Sequence, residues 1–266
     1  MSYLPDGPTN RQTRRRRPGR IAGPMALAVA LIVGVLEIYS RQPVAGTTPD
    51  LDLPTDVATL VLVIHGSGDA DNLLLAGIVA RLAGRFKASP HAAVRYVRWT
   101  PASDQRLRAA ATAQAIGSVL GAQLAKVSTL RELHLIAHSS GTFMPDAICA
   151  AYRARNQAPA RVTMVLLDPF QIRGFTDWTY GARHHGECGD VALAIINTDD
   201  PAPATNRPLA RAFNLDVTRH PDRASFTRNG HYWPLQYYRD YVLQEQPEIA
   251  NRTRVDYPGG AVQTGR

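Results

Sequence analysis

The sequence predicts an α/β fold, in which a mostly parallel sheet carries helices on both faces and follows an N-terminal transmembrane helix. Short apolar runs alternate along the chain with stretches of helical length and helical apolar spacing. Several of these runs are apolar throughout, as in strands that are buried on both faces. An uncharged run near the start of the sequence predicts the membrane helix.

The composition is that of a folded protein and limits the kinds of site. Of the 266 residues, 45% are hydrophobic and 20% are charged, which argues against a wholly disordered chain. The sequence has two cysteines, too few for a disulfide scaffold or a four-thiolate zinc site. A single disulfide between Cys149 and Cys188 is left open.

The positive charge is concentrated at the start of the chain. The net charge is +8, and the arginine-rich arm over residues 1–20 carries +5 of it. A basic arm ahead of an apolar run is more often a topology signal than a surface that binds DNA. We therefore expect no nucleic-acid partner.

The uncharged run Ile21–Leu36 predicts a signal anchor over residues 21–39. Nineteen helical residues rise about 28 Å, close to the thickness of a bilayer core. Because arginines precede the run, the positive-inside rule places residues 1–20 in the cytoplasm and the rest of the chain outside. Secretion after signal cleavage is the alternative. Residues 40–56, rich in Pro, Thr and Asp, predict an extended linker.

The pattern from residue 57 to residue 245 predicts one α/β domain, followed by a flexible tail over 246–266. The predicted strands are 58–64, 94–99, 133–137, 162–167 and 191–196. The predicted helices are 71–87, 104–126 and 140–155. Strands that alternate with helices in this way form parallel sheets with right-handed crossovers.

The segment Leu133–Gly141 predicts a tight turn between a strand and a helix, with a nucleophilic serine at its tip. Ala137 and Gly141 lie two residues before and after Ser139, and small residues there let the two backbones approach. Ser139 precedes a helix, so backbone N–H groups, first that of Ser140, would face a developing anion. The alternative is a serine that only caps the helix.

A serine hydroxyl needs a neighbouring base, and the fold pattern places that histidine after the serine. We favour His231, which lies in a loop ahead of the aromatic, helix-like stretch 235–243. The adjacent His184 and His185 suggest a metal pair, but such pairs in loops are more often solvated, and His220 has no comparable context. We expect no metal and no cofactor.

The acid that orients the histidine is predicted to be Asp168. It directly follows the run 162–167 and precedes a proline, which places it at the carboxyl end of the sheet, where ligands bind in open α/β folds. Asp199 and Asp200 follow the next strand and compete with it for this role. A plain Asp-Pro turn is the structural alternative.

The loop after the first strand is predicted to supply a second N–H donor to an oxyanion. This loop contains Gly66 and Gly68, which allow the backbone to approach a substrate closely, and the donor would be the N–H of Ser67. A phosphate-binding loop is excluded because no G-K-[ST] follows.

Together these motifs resemble those of the α/β-hydrolase superfamily, most nearly the pancreatic-type lipases and their bacterial relatives. The residues that carry the resemblance are Val63–Gly66, Ala137–Gly141, Leu167–Pro169 and His231, within residues 57–245. The resemblance implies an α/β-hydrolase-type sheet, a triad of Ser139, Asp168 and His231, and an oxyanion hole of the Ser67 and Ser140 amides. Two departures from the family pattern are Ala137 in place of glycine and Ser67 in place of a bulky residue.

The expected function is therefore that of a membrane-anchored serine hydrolase, which cleaves a carboxylic ester through an acyl-enzyme. The expected partners are a small-molecule or lipid ester and, through residues 21–39, the membrane. The alternative is a non-catalytic binding or scaffold protein on the same fold. The loop 170–189, with Phe175 and Trp178, predicts either part of a lid or a loop that covers the sheet. Acyl length, leaving group and oligomeric state are left open.

Overall fold

The computed structural model describes residues 19–45, 48–156, 158–200, 204–245 and 253–265. Most of the predicted basic arm, residues 1–18, lies outside these ranges. The helices are α1 Gly19–Arg41, α2 Leu73–Phe86, α3 Ala109–Leu124, α4 Phe143–Arg153, α5 Tyr180–His184, α6 Trp233–Tyr237 and α7 Leu243–Glu245, with a π-helical turn Tyr238–Val242 between the last two. The strands are β1 Thr59–Ile64, β2 Ala92–Val97, β3 Glu132–His138, β4 Arg161–Leu167, β5 Val191–Ile196, β6 Phe213–Asp216 and β7 Val262–Thr264. Short 3₁₀ turns occupy Ala102–Asp104, Arg106–Arg108, Ser139–Thr142, Pro221–Ser225 and Gly230–Tyr232.

The chain divides into two compact units, Met1–Val35 and Leu36–Arg266. The described part of the first unit is helical and belongs to α1. Within α1, the 19 residues Gly23–Arg41 are long and apolar enough to cross a membrane, by length and composition. The apolar side chains of Met25 and Leu31 are 63% and 62% exposed, so this part of the helix does not bury them within the protein. The prediction of an apolar N-terminal helix is confirmed, and an anchor or a signal sequence would both have this form.

The second unit is built on a seven-stranded sheet in the order β2-β1-β3-β4-β5-β6-β7, with every neighbouring pair parallel. The predicted α/β fold class is confirmed. The five predicted strands are present with small shifts at their ends, but β6 and β7 were not predicted. The structure also differs from the predicted flexible tail, since Val262 of β7 pairs with Asn214 of β6. The three side chains of β7 are exposed, so the sequence there has no apolar run to mark a strand.

Alternate residues of each strand enter different cores on the two faces of the sheet. In β1, Leu60 and Leu62 belong to the core that α3 and α4 cover, whereas Val61 and Val63 belong to the core beneath α2 and α6. Helices α3 and α4 pack so closely that a Cβ atom on Gly121 would collide with the carbonyl oxygen of Ile148. With both faces covered, the carboxyl edge of the parallel strands is left to carry the functional loops.

The segment predicted as an extended linker, 40–56, contacts the rest of the second unit at several described residues. The N–H of Val44 donates to the hydroxyl of Thr112 at 2.9 Å, and Leu51 is only 6% exposed. The guanidinium of Arg95 donates to the carbonyl of Leu51 at 2.8 Å. Two hydrogen bonds and the buried side chain of Leu51 therefore hold a segment whose composition is typical of a free tether.

The two cysteines form a disulfide that joins α4 to the loop before β5. The Cα atoms of Cys149 and Cys188 are 6.0 Å apart, and the two residues are separated by 39 positions. The crosslink closes a loop that contains all of β4 and Asp168. The pairing that the sequence left open is thus present in the structure.

Removing this crosslink is expected to destabilise the protein without changing its fold. A loop of this length corresponds to about 2–4 kcal/mol of the free energy of unfolding, or a fall in Tm of about 5–15 °C. Scanning calorimetry of the full chain in detergent would compare wild type, Cys149→Ser/Cys188→Ser and the exposed α4 control Ala150→Ser. An equal Tm for all three proteins would contradict the expectation.

Candidate active site

Ser139 lies at the junction between β3 and the turn that leads into α4. Its φ of 52° is in the left-handed region, which non-glycine residues seldom adopt and which is concentrated at functional sites. Its carbonyl oxygen accepts the N–H of Phe170 at 3.1 Å and the hydroxyl of Thr142 at 2.6 Å. These two hydrogen bonds fix the strained backbone, and Ser139 is left partly exposed at the carboxyl edge of the sheet.

The first loop and the Ser139 turn approach so closely that two glycines are required. A Cβ atom on Gly66 would lie 2.7 Å from Cβ of Ser139, and one on Gly141 would collide with the carbonyl oxygen of His65. Ala137, the predicted departure from glycine, is fully buried in β3. The close approach places the loop after β1 directly against the serine.

His231 lies in the 3₁₀ turn ahead of α6 and contacts the carboxylate of Asp168. Its Nδ1 is 2.6 Å from Oδ2 of Asp168, and its side chain is 18% exposed. Asp168 is fully buried, with a φ of 43°, and its Oδ1 accepts the N–H of Asn197 at 3.1 Å. The structure therefore brings together two of the three residues predicted to form the triad.

The protonation of this pair is strongly perturbed. Burial raises the pKa of Asp168 to about 7, although the hydrogen bond and charge of His231 lower it. Burial alone would lower the pKa of His231, but the hydrogen bonds and charges of Asp168 and Asp200 raise it to about 9. The two groups titrate as a coupled pair that favours an imidazolium beside a carboxylate.

The contact between the Ser139 turn and His231 is made by His138. The ring of His138, the residue before Ser139, lies 4.6 Å from the ring of His231, centroid to centroid. Among the hydrogen bonds of the described ranges, none joins the Ser139 hydroxyl to the imidazole. Serine–histidine bonds are often long in the absence of substrate and tighten when it binds.

The predicted oxyanion donor Ser67 is engaged by the side chain of Ser140. The N–H of Ser67 donates to the Ser140 hydroxyl oxygen at 2.9 Å, and the two hydroxyl oxygens are also 2.9 Å apart. An oxyanion would have to share this N–H with the hydroxyl or displace it. The sequence gives no signal for this contact, because it joins residues 73 positions apart.

A second buried network lies beside the candidate triad and was not predicted. Nδ1 of His138 is 2.9 Å from Oδ2 of Asp69, and Oδ1 of Asp69 accepts the hydroxyl of Tyr232 at 2.9 Å. Nε2 of His138 lies 3.3 Å from the carbonyl oxygen of His231. Burial lowers the pKa of His138 although Asp69 raises it. The network connects the loop after β1 with the turn that carries His231. In the sequence, its three residues are marked only by their positions beside Ser139, His231 and the glycines of the first loop.

Of the two carboxylates that competed with Asp168, one also reaches the histidine. Asp200 Oδ2 is 3.2 Å from Nδ1 of His231, whereas Asp199 forms an exposed ion pair with Arg223 at 3.0 Å. One donor atom from each of Asp168, Asp200 and His231 lies within 4.8 Å of the others, close enough to hold a cation.

The remaining downstream histidines have other partners. His185 is 2% exposed, and its Nε2 lies 2.9 Å from the carbonyl oxygen of Phe170. The expectation of a solvated histidine pair therefore fails for His185, because the neighbouring Phe143 covers its ring at 4.7 Å. His184 is exposed beside Glu187, at 3.3 Å.

The loop 170–189 packs over the sheet at one end, as the covering-loop alternative predicts, and its role as a lid stays a prediction. Tyr180 stacks on Phe143 with ring centroids 5.8 Å apart, so that end of the loop packs over the sheet. Trp178 is 57% exposed. The middle of the loop is held by Glu37, whose carboxylate accepts the N–H of Phe175 at 2.6 Å.

Comparison with known proteins assigns no family to this chain. No family model matches the chain, and no curated protein matches it. Among solved structures, the crystal structure of Aspergillus fumigatus lipase B is similar over 63% of this chain, with 11% sequence identity and a TM-score of 0.37. The match covers 46% of that lipase, less than half of its length. The roles of individual residues here must therefore be argued from their own geometry.

Proposed function

We propose that this chain is a serine hydrolase that cleaves a carboxylic ester through an acyl-enzyme. One observation carries the proposal: Ser139 stands at a strained turn between β3 and α4, and the residue before it, His138, contacts the His231 of a His231–Asp168 pair joined at 2.6 Å. A positive φ at a non-glycine residue costs on the order of 1–3 kcal/mol and persists where the surrounding structure imposes it. A helix cap needs no such conformation, so the geometry favours a nucleophile over a cap.

In the proposed mechanism, Nε2 of His231 takes the proton of the Ser139 hydroxyl as the oxygen attacks the ester carbonyl. Asp168 stabilises the imidazolium and holds the ring through Nδ1. The hydrogen bond from the Ser67 N–H to the Ser140 hydroxyl first breaks. The N–H groups of Ser67 and Ser140 then bind the tetrahedral oxyanion. His231 then protonates the leaving alcohol, and a water molecule repeats the sequence on the acyl-enzyme.

A small, polar ester suits the site better than a long acyl chain. A cleft of about 400 Å³ borders the Asp69–Tyr232 end of the network beside the triad, and it is lined by Gly68, Asp69, Ala70, Asp71, Asn72, Thr100, Asp104 and Tyr232. These side chains are mostly polar, and three of them are carboxylates. Long acyl chains are bound by apolar walls, whereas the polar lining of this cleft favours a small, polar substrate.

We further propose that α1 anchors the chain, with residues 1–20 in the cytoplasm and the hydrolase unit outside. The arginine-rich arm supports this orientation through the positive-inside rule. The Cys149–Cys188 disulfide supports it independently, because disulfides persist in oxidising compartments. Cysteine accessibility mapping on either side of the membrane would test the orientation.

A fluorophosphonate probe tests the proposed activity directly, because it reacts with an activated serine and not with an ordinary hydroxyl. The full chain in detergent is incubated with the probe, and the labelled peptide is identified by mass spectrometry. Labelling at Ser139, with turnover of short chromogenic esters, is the expected result. A folded chain that neither labels nor turns over these esters would instead be a scaffold on a hydrolase fold.

Gly66→Ala is expected to lower activity more than stability. The added methyl would lie 2.7 Å from Cβ of Ser139, so the serine or the donor loop must shift by several tenths of an ångström. Loss of one oxyanion donor costs about 10²–10³ in kcat. Ester hydrolysis and thermal melting would be compared with Gly84→Ala, where a Cβ meets nothing within 4 Å. Equal activity of the two variants would show that the loop does not need this close approach.

A further inference from the structure

Two buried carboxylates approach the same nitrogen of His231, and the mechanism above uses only one of them. Asp168 Oδ2 lies 2.6 Å and Asp200 Oδ2 lies 3.2 Å from Nδ1. Asp168 follows β4 and Asp200 follows β5, which are adjacent strands of the sheet. Neighbouring strands thus deliver one carboxylate each to a single imidazole N–H.

Asp200 is held in this position by the surrounding protein. Its Oδ2 accepts the hydroxyl of Thr205 at 2.9 Å, and Thr205 is itself 1% exposed. Its backbone N–H donates to the carbonyl of Asn197 at 3.3 Å. Asp200 is 3% exposed. A carboxylate fixed and desolvated in this way has a well-defined orientation toward the ring before any substrate binds.

We propose that Asp200 is a second carboxylate partner of the His231 base, a positioning residue that shares Nδ1 with Asp168. This inference rests on the proposed function. An Nδ1–H that can be donated to either carboxylate keeps the imidazole in the tautomer whose Nε2 is free to accept the serine proton. The ring therefore keeps this tautomer when one of the two carboxyl groups is protonated.

The charges around His231 are consistent with this arrangement. The titratable groups that face the ring are Asp168, Asp200, Asp69, His138 and Tyr232. Asp69 is already shared by His138 and Tyr232. Asp168 and Asp200 disfavour each other's ionised forms, because like charges at close range repel. Both carboxylates hold a proton on His231, and loss of Asp200 would weaken that hold.

The pH dependence of kcat/KM tests the proposal on the full chain in detergent. Activity requires neutral His231, so kcat/KM falls as the pH drops below the pKa of the ring. Asp200→Asn removes one of the charges that raise this pKa, and the acid limb is expected to move about one pH unit lower. The matched control is Asp199→Asn, which breaks only an exposed ion pair and should leave the limb in place.

The two carboxylates are then removed in turn. Asp168→Asn keeps Asp200 on the ring and is expected to lose about 10²–10³ in kcat, less than the roughly 10⁴ typical where a single acid serves the base. Asp168→Asn/Asp200→Asn is expected to reach that larger loss. Equal activity of the single and double variants, with an unmoved acid limb in Asp200→Asn, would overturn the proposal. Should Asp200→Asn fail to fold by circular dichroism, Asp168→Asn alone decides: a loss of about 10²–10³ in kcat supports the proposal, and a loss of about 10⁴ or more overturns it.

Other failures give different results. If the proposed function is wrong, the wild-type chain is not labelled by the fluorophosphonate and none of the variants differs from it. If Asp168, Asp200 and His231 hold a cation instead, treatment with EDTA abolishes wild-type activity and added Zn²⁺ or Ca²⁺ restores it, which overturns the shared-proton role. Unchanged wild-type activity in EDTA, together with an acid limb that moves lower in Asp200→Asn, supports the shared-proton role.

Discussion

Replacing Ser139 with alanine is expected to abolish fluorophosphonate labelling and to lower kcat of ester hydrolysis by on the order of 10⁴–10⁶. The change removes one oxygen from a partly exposed side chain, so the fold should persist. The loss is large because, in the proposed mechanism, the Ser139 hydroxyl oxygen is the only protein atom that forms a covalent bond to the substrate. Stopped-flow or steady-state assays with a short chromogenic ester, on protein shown to be folded by circular dichroism, measure it.

Two other serine variants make this result specific. Ser140→Ala keeps the backbone N–H proposed for the oxyanion hole and should still be labelled at Ser139, although it releases the Ser67 N–H from the hydroxyl. Ser118→Ala, on the exposed face of α3, should behave as wild type. Labelling that survives in Ser139→Ala but disappears in Ser140→Ala would move the nucleophile by one residue and refute the assignment.

The sequence predicts those parts of the fold that are local. Continuous apolar runs predict β1 and β3 to β5 because burial on both faces removes the polar alternation. The turn around Ser139 is predictable because small residues must flank it, as the collision at Gly141 confirms. The strand β7 escapes prediction, since its three exposed residues are stabilised only by pairing with β6.

Long-range contacts within the candidate site could not be predicted. A sequence rule places one acid after one strand, and so treats Asp168 and Asp200 as rivals, whereas the sheet brings both to His231. The hydrogen bond between Ser67 and Ser140 joins residues 73 positions apart. Such contacts depend on how adjacent strands bring their loops together, which a one-dimensional pattern does not contain.

His231→Ala is expected to lower kcat about as far as Ser139→Ala, because one change leaves the serine hydroxyl without a base and the other removes the hydroxyl. The remaining rate should lose the acid limb that His231 gives the wild type. Free imidazole should restore part of the activity, since the vacated space adjoins Asp168 and the ring is 18% exposed. Initial rates measured across the pH range, with and without imidazole, give the residual kcat, its pH dependence and the extent of rescue.

The control for this experiment is His184→Ala, which removes an exposed imidazole beside Glu187 and should leave the rate and its pH dependence unchanged. A second source of the proton transfer must also be tested. The network of His138 and Asp69 contacts the His231 turn and offers another imidazole near the serine. If His231→Ala kept the wild-type acid limb and most of its rate, that network would have to supply the base. Rescue by imidazole in His231→Ala, together with a fully active His184→Ala, would instead assign the proton transfer to the ring that Asp168 and Asp200 hold.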